Sequence, residues 1–81
     1  MKLNQFYRHV ENTHILVKPL ESHVMVDPLK RTNQETEYYY CEIWNTRFNE
    51  KYNDTYTKSY LEKRFEEPPK AIQLDLEQKY K

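Results

Sequence analysis

Glycine is absent from all 81 residues. Phosphate-cradling loops of the Walker and dinucleotide types need glycine to bring backbone amides close to the ligand, so they are excluded. Nucleophile elbows fall with them. Turns must be built from Asn, Asp and Pro, which supply turn geometry with less freedom. There is one cysteine, Cys41, so no internal disulfide can form. With an N-terminus that lacks signal-like character, this points to a reducing, cytoplasmic setting. No apolar run approaches the roughly 18 residues of a membrane span, so no membrane is expected as a partner.

Neither sign of charge prevails. Thirteen basic residues face thirteen acidic ones, and residues 45–67 alone hold five of each. Duplex-DNA binders present a basic face and DNA mimics an acidic one; this sequence announces neither. Residues with GC-rich codons are scarce while Asn, Lys, Tyr, Glu and Ile abound, a bias that fits an AT-rich source such as a phage or plasmid.

What the chain does have is aromatic area: eight tyrosines, three phenylalanines and one tryptophan. A chain of this length forms one small domain, here residues 1–81. It buries only about two-thirds of its unfolded surface, so each large side chain matters. The densest stretch is residues 37–48, Glu-Tyr-Tyr-Tyr-Cys-Glu-Ile-Trp-Asn-Thr-Arg-Phe. Aromatic and β-branched residues fill it and nothing in it breaks a strand. Alternation puts Tyr38, Tyr40, Glu42 and Trp44 on one face and Tyr39, Cys41 and Ile43 on the other. Both faces are apolar, which predicts a strand inside a sheet, covered on both sides.

Around it, Leu3, Phe6, Tyr7 and Val10 follow helical spacing and predict a short amphipathic helix over residues 2–12. Residues 13–18 and 22–27 read as two strands, each closed by a proline (Pro19, Pro28), which together predict a hairpin. Residues 29–36 read as a solvated loop with its tip at Thr32-Asn33. Residues 45–60 fall into tetrads that end in Phe48, Tyr52, Tyr56 and Tyr60. Positions four apart share a helix face, drifting about 40° per step. Because Asn and Thr oppose a helix at its start, the reading is a loop through Asp54 and then a helix over residues 55–66 with Asp54 as N-cap, ended by Pro68-Pro69. Ile72, Leu74 and Leu76 alternate with polar residues, which predicts a final strand beside the central one; a helix opening at Pro69, with Ile72, Leu76 and Tyr80 four apart, is the competing reading. The expected fold class is α+β, in the order α-β-β-β-α-β: an antiparallel sheet of three to four strands with one or two helices packed on one face.

Candidate chemistry is thin. His9, His14 and His23 match no zinc spacing, so neither metal nor cofactor is expected. Cys41 has Tyr40 and Glu42 as sequence neighbours, neither a base that would activate a nucleophile, and reads as a buried small hydrophobe. Glu66-Glu67 read as solvated, and no catalytic constellation emerges. The sharpest functional feature is the tetrad stripe. Phe48, Tyr52 and Tyr56, with Arg47 and Lys51, form the candidate partner-binding site, because tyrosine offers large contact area with few rotatable bonds. The expectation is a non-catalytic module that occupies a larger protein partner, an inhibitor of a host factor being one instance. Strand addition and homodimerisation are further routes to association. The alternative is a single-stranded nucleic-acid binder whose rings stack bases while Arg47, Lys51 and Lys58 hold phosphates.

Overall fold

The computed structural model describes residues 1–26 and 35–80. The observed class is α+β. Five strands and two helices follow one another as β1 (Tyr7–His9), β2 (Ile15–Val26), β3 (Glu35–Asn45), β4 (Glu50–Thr57), α1 (Lys58–Arg64), β5 (Phe65–Glu66) and α2 (Lys70–Lys79). The strands form one antiparallel sheet in the order β4-β3-β2-β1-β5. The central strand is where the aromatic stretch places it, paired along its length with β2 and over residues 38–45 with β4. The predicted loop tip at Thr32-Asn33 and the strand end at Asp27 lie outside the described residues.

Alternation divides the sheet into two faces. On one, Tyr7, Val17, Tyr39, Cys41, Ile43 and Phe65 gather around Leu61 of α1 in a single buried cluster. Leu61 is the one buried residue of α1. On the other face, Leu16 pairs with Trp44, and Lys18 with Glu42. Tyr80, just past α2, lies 5.2 Å from the Trp44 ring and 6.4 Å from Phe6. Lys18 stands over Phe6 and Lys51 over Trp44, and Glu42 forms ion pairs with both lysines at 3.6 and 3.5 Å. The helices therefore serve opposite faces, not one. Among the described residues the second face is covered around Phe6, Leu16 and Trp44; farther along, Tyr40 is exposed.

Several expected elements differ, each for a physical reason. The helix over residues 2–12 does not form. Asn4 takes φ 60°, its amide bonds to the Pro19 carbonyl, and Phe6 and Tyr7, both buried, separate onto the two faces as β1 begins. Sheet pairing uses both aromatic rings where a helix would have shown them to one side. The hairpin of residues 13–18 and 22–27 is instead one strand, β2, with a register irregularity between Pro19 and Glu21. The expected loop through Asp54 is β4. A period of four is an even number, so it suits a strand as well as a helix, and β3 offers the edge that decides. Asp54 accordingly does not cap a helix. Thr57 does, its hydroxyl accepting from the Tyr60 amide at 3.2 Å. Because β4 fills the second side of β3, residues 70–79 have no vacancy there and form α2, the competing reading, with Leu76 and Tyr80 half-buried.

Asn supplies the left-handed turn positions that glycine usually takes. Residues 46–49 connect β3 to β4, with Asn49 at φ 51°; Asn tolerates this region better than branched residues. Among the described residues, no helix is long and apolar enough to cross a membrane.

Three substitutions at two positions test this packing. Leu61→Ala is expected to lower unfolding free energy by about 2–5 kcal/mol in denaturant titration, through lost burial plus a residual cavity. Asn49→Gly is expected to be near neutral, whereas Asn49→Val is expected to cost about 1–2 kcal/mol because its φ is left-handed.

Candidate functional site

Strand β4 and helix α1 are consecutive, and the four-residue repeat runs through both. In β4 it keeps Tyr52 and Tyr56 on the core-side face, opposite Ile43 and Tyr39. At Thr57 the chain turns helical, and four residues become roughly one helical turn, so Tyr60 remains in line. Tyr56 and Tyr60 stack at 5.1 Å with 14° between planes. The Arg64 guanidinium, four residues on, lies 5.8 Å from the Tyr60 ring centre. The result is a ladder of Tyr52, Tyr56, Tyr60 and Arg64 along one margin of the molecule.

The rungs are not equivalent. Tyr56 is half-buried against the core. Burial pushes its hydroxyl well above the usual tyrosine range, and Tyr52 and Asp54 add to the effect. Tyr52 is 48 % exposed and Phe48, in the turn before β4, is 64 % exposed. Arg47 lies over the Phe48 ring at 5.6 Å. Lys51 is on the opposite face, held by Glu42 and Trp44. Of the five sequence-predicted site residues, Arg47 and Phe48 thus share the turn, Tyr52 and Tyr56 share a strand face, and Lys51 is separated from them. Tyr60 and Arg64 extend the stripe; the same four-residue spacing that marked Tyr52 and Tyr56 points to them.

Charge follows the same alternation. Glu50 and Asp54 share the face of Tyr52 and Tyr56, while Lys51, Asn53, Thr55 and Thr57 share the other. Next to the ladder, Lys58 meets Glu37 at 3.4 Å and Glu62 at 4.0 Å in a shallow cleft with Glu35, Thr36 and Ser59. Glu37 holds the Lys58 ammonium above its usual range, the reverse of what a lysine nucleophile needs. Tyr39 donates to Glu37 at 3.3 Å, and burial and that carboxylate raise its hydroxyl too.

The remaining reactive side chains are dispersed. Cys41 is fully buried, its Sγ 3.5 Å from the Tyr39 carbonyl. Burial, with Asp54 next, pushes its thiol from 9.0 up to about 11. His9 Nδ1 accepts from the Glu11 and Asn12 amides and its ring meets Phe65 edge-on. His14 precedes β2, and His23 lies 3.6 Å from Glu21. Among the described residues, no three His, Cys, Asp or Glu converge as a metal site. No protein-family model, curated protein or solved structure matches this chain.

The perturbed groups make alkaline stability testable. Cys41, Tyr56 and Tyr39 hold their protons more firmly folded than unfolded, and Lys58 likewise. Stability from a raised pKa is complete below the unfolded value and lost as pH climbs toward the folded one. The melting temperature should therefore stay level up to about pH 9 and fall between about pH 9 and 11, with the lower bound set by the Cys41 thiol. Cys41→Ala is expected to shift the onset of that fall upward.

Proposed function

We propose that the protein is a non-catalytic protein-binding module, and that it acts by laying the exposed rings of Phe48 and Tyr52, with Arg47 beside them, against a larger protein. The observation that carries this reading is the pattern of β4: rings and carboxylates together on one face, lysine on the other. Half-buried Tyr56 stiffens the surface, since its stack on the exposed Tyr60 ties the strand to α1. A large ring on a rigid support loses little freedom on binding, which is why tyrosine recurs in interface anchors. The sealed thiol of Cys41 and the fully paired Lys58 favour a surface that binds over one that reacts.

The alternative, a single-stranded nucleic-acid binder, needs cations beside the rings. Arg47 at Phe48 and Arg64 at Tyr60 supply two, but Glu50 and Asp54 stand beside Tyr52 and Tyr56 on the same strand face. Lys51 and Lys58 are each within 4.0 Å of carboxylates. Phosphates would meet repulsion at Tyr52, between those two carboxylates.

Two measurements separate the readings. Phe48→Ala and Tyr52→Ala are expected to leave the melting temperature within about 2–4 °C, as exposed-site changes of about 0.5 kcal/mol do, and to abolish co-purification of a partner captured by the wild-type chain. A fluorescent oligothymidine titrated at low and high salt is expected to show no binding. Tight binding that weakens steeply with salt would overturn the proposal in favour of nucleic acid.

A further inference from the structure

The exposed rings differ in what lies against them. Phe48 has the Arg47 guanidinium at 5.6 Å. Tyr56 and Tyr60 have each other, and Tyr60 also has Arg64 at 5.8 Å. Tyr52 is the exception. Among the described residues, neither a cation nor a second ring stacks on it. The adjacent lysine, Lys51, is drawn to the opposite face by Glu42 and Trp44.

The carboxylates beside Tyr52 are equally unengaged. Glu50 and Asp54 flank it two residues to either side, so the three side chains leave one strand face at steps of about 6.5 Å. Both acids are exposed. Among the described residues neither has an ion-pair partner, whereas Glu37, Glu42, Glu62 and Glu66 each face a lysine or arginine. Asp54 accepts one bond, from the Thr55 amide at 2.8 Å, through one of its two oxygens. The place is also remote from the β3 terminus at Glu35: Ile43, opposite Tyr52, is about 26 Å along the strand from it.

We propose that Glu50, Tyr52 and Asp54 receive an arginine side chain of the partner protein, its guanidinium flat on the Tyr52 ring and its N–H groups directed at the two carboxylates. Resting on the protein-binding reading above, this names the chemistry of the segment that the surface takes. The molecule already sets arginine on a ring at Phe48 and at Tyr60; at Tyr52 it provides the ring and the anions but no cation. Arginine fits better than lysine, because a planar guanidinium stacks on an aromatic face while its edge donates to carboxylates, and it sheds water more readily than an ammonium. Anions on both sides of the ring add to the attraction of its face for a cation. Arg47 and Arg64 at the two ends of the stripe repel further cations, so the fitting segment carries an isolated arginine and not a long basic run.

The test follows backbone-amide and tyrosine-ring NMR signals of the full chain during titration with a capped Ala-Ala-Arg-Ala-Ala peptide. Control peptides carry citrulline or glutamate at the centre. The expected result is a saturable shift of the Glu50, Tyr52 and Asp54 signals at millimolar arginine peptide, weakened by salt. Citrulline, equal in shape but uncharged, should bind about threefold more weakly or worse. Tyr52→Leu should weaken the arginine peptide by about two- to fivefold, and Glu50→Gln with Asp54→Asn by a similar factor. Equal binding of arginine and citrulline, no shift over residues 50–54, binding indifferent to both variants, or the same shifts with the glutamate peptide overturns the proposal. So would those shifts appearing when the chain alone is concentrated, since the cation would then come from a second copy. Partner capture separates this inference from the reading beneath it. If Tyr52→Ala loses the partner while Glu50→Gln with Asp54→Asn keeps it, the surface stands and the arginine fails. If Tyr52→Ala keeps the partner, the surface itself fails.

Discussion

Everything in this fold depends on β3 being paired on both sides. Its odd-numbered residues, Tyr39, Cys41 and Ile43, are buried, and they can be so only because β2 and β4 flank them and Leu61 closes over them. Backbone groups in that position have no water to turn to, so both ladders must be complete. The small size of the chain sharpens the dependence. With so little interior, the cluster around Val17, Cys41 and Leu61 supplies most of the apolar burial. The rest of the aromatic area is left to form a thinner cover on the far face, where Tyr80 bridges Phe6 and Trp44.

From this constraint the division of the surface follows. Pairing with β3 makes β4 a strand, and a strand sorts Glu50, Tyr52, Asp54 and Tyr56 from Lys51, Asn53, Thr55 and Thr57. The stripe of rings survives the change to helix at Lys58 because four residues is an even step on a strand and about one turn on a helix. One repeat thus yields a continuous ladder across two kinds of structure. Its Tyr56 rung serves stability, while Tyr52 and Tyr60, with Phe48 in the turn before β4, remain open.

The central strand was legible in the sequence because its signal is local: the stretch 37–48, rich in aromatic and β-branched residues, holds no breaker. That asparagine would serve in turns followed from the lack of glycine, and Asn49 falls in the expected loop, but Asn4 takes its left-handed position where the spacing predicts a helix, and the turn expected after Pro19 is strand. The elements that were misread are those decided by distant partners. Leu3, Phe6, Tyr7 and Val10 fit a helix by spacing, yet two sheet faces needed Phe6 and Tyr7 separately. Tyr52 and Tyr56 fit helix or strand equally, and only the free side of β3 distinguishes them. Ile72, Leu74 and Leu76 alternate like a strand, but with β4 in place they have nothing to pair with. For the candidate site, the exposure of Phe48 and Tyr52 followed from surplus aromatic area, whereas the removal of Lys51 to the other face required the register. Strand alternation, once known, would have revealed it.

The most direct test is a nuclear Overhauser spectrum of residues 50–57. Cross-strand contacts between Glu42 and Asn53 and between Tyr40 and Thr55 are the expected result, since these pairs stand opposite one another. Contacts between residues three apart along residues 50–57, with none to β3, would contradict it and remove the basis for the ladder.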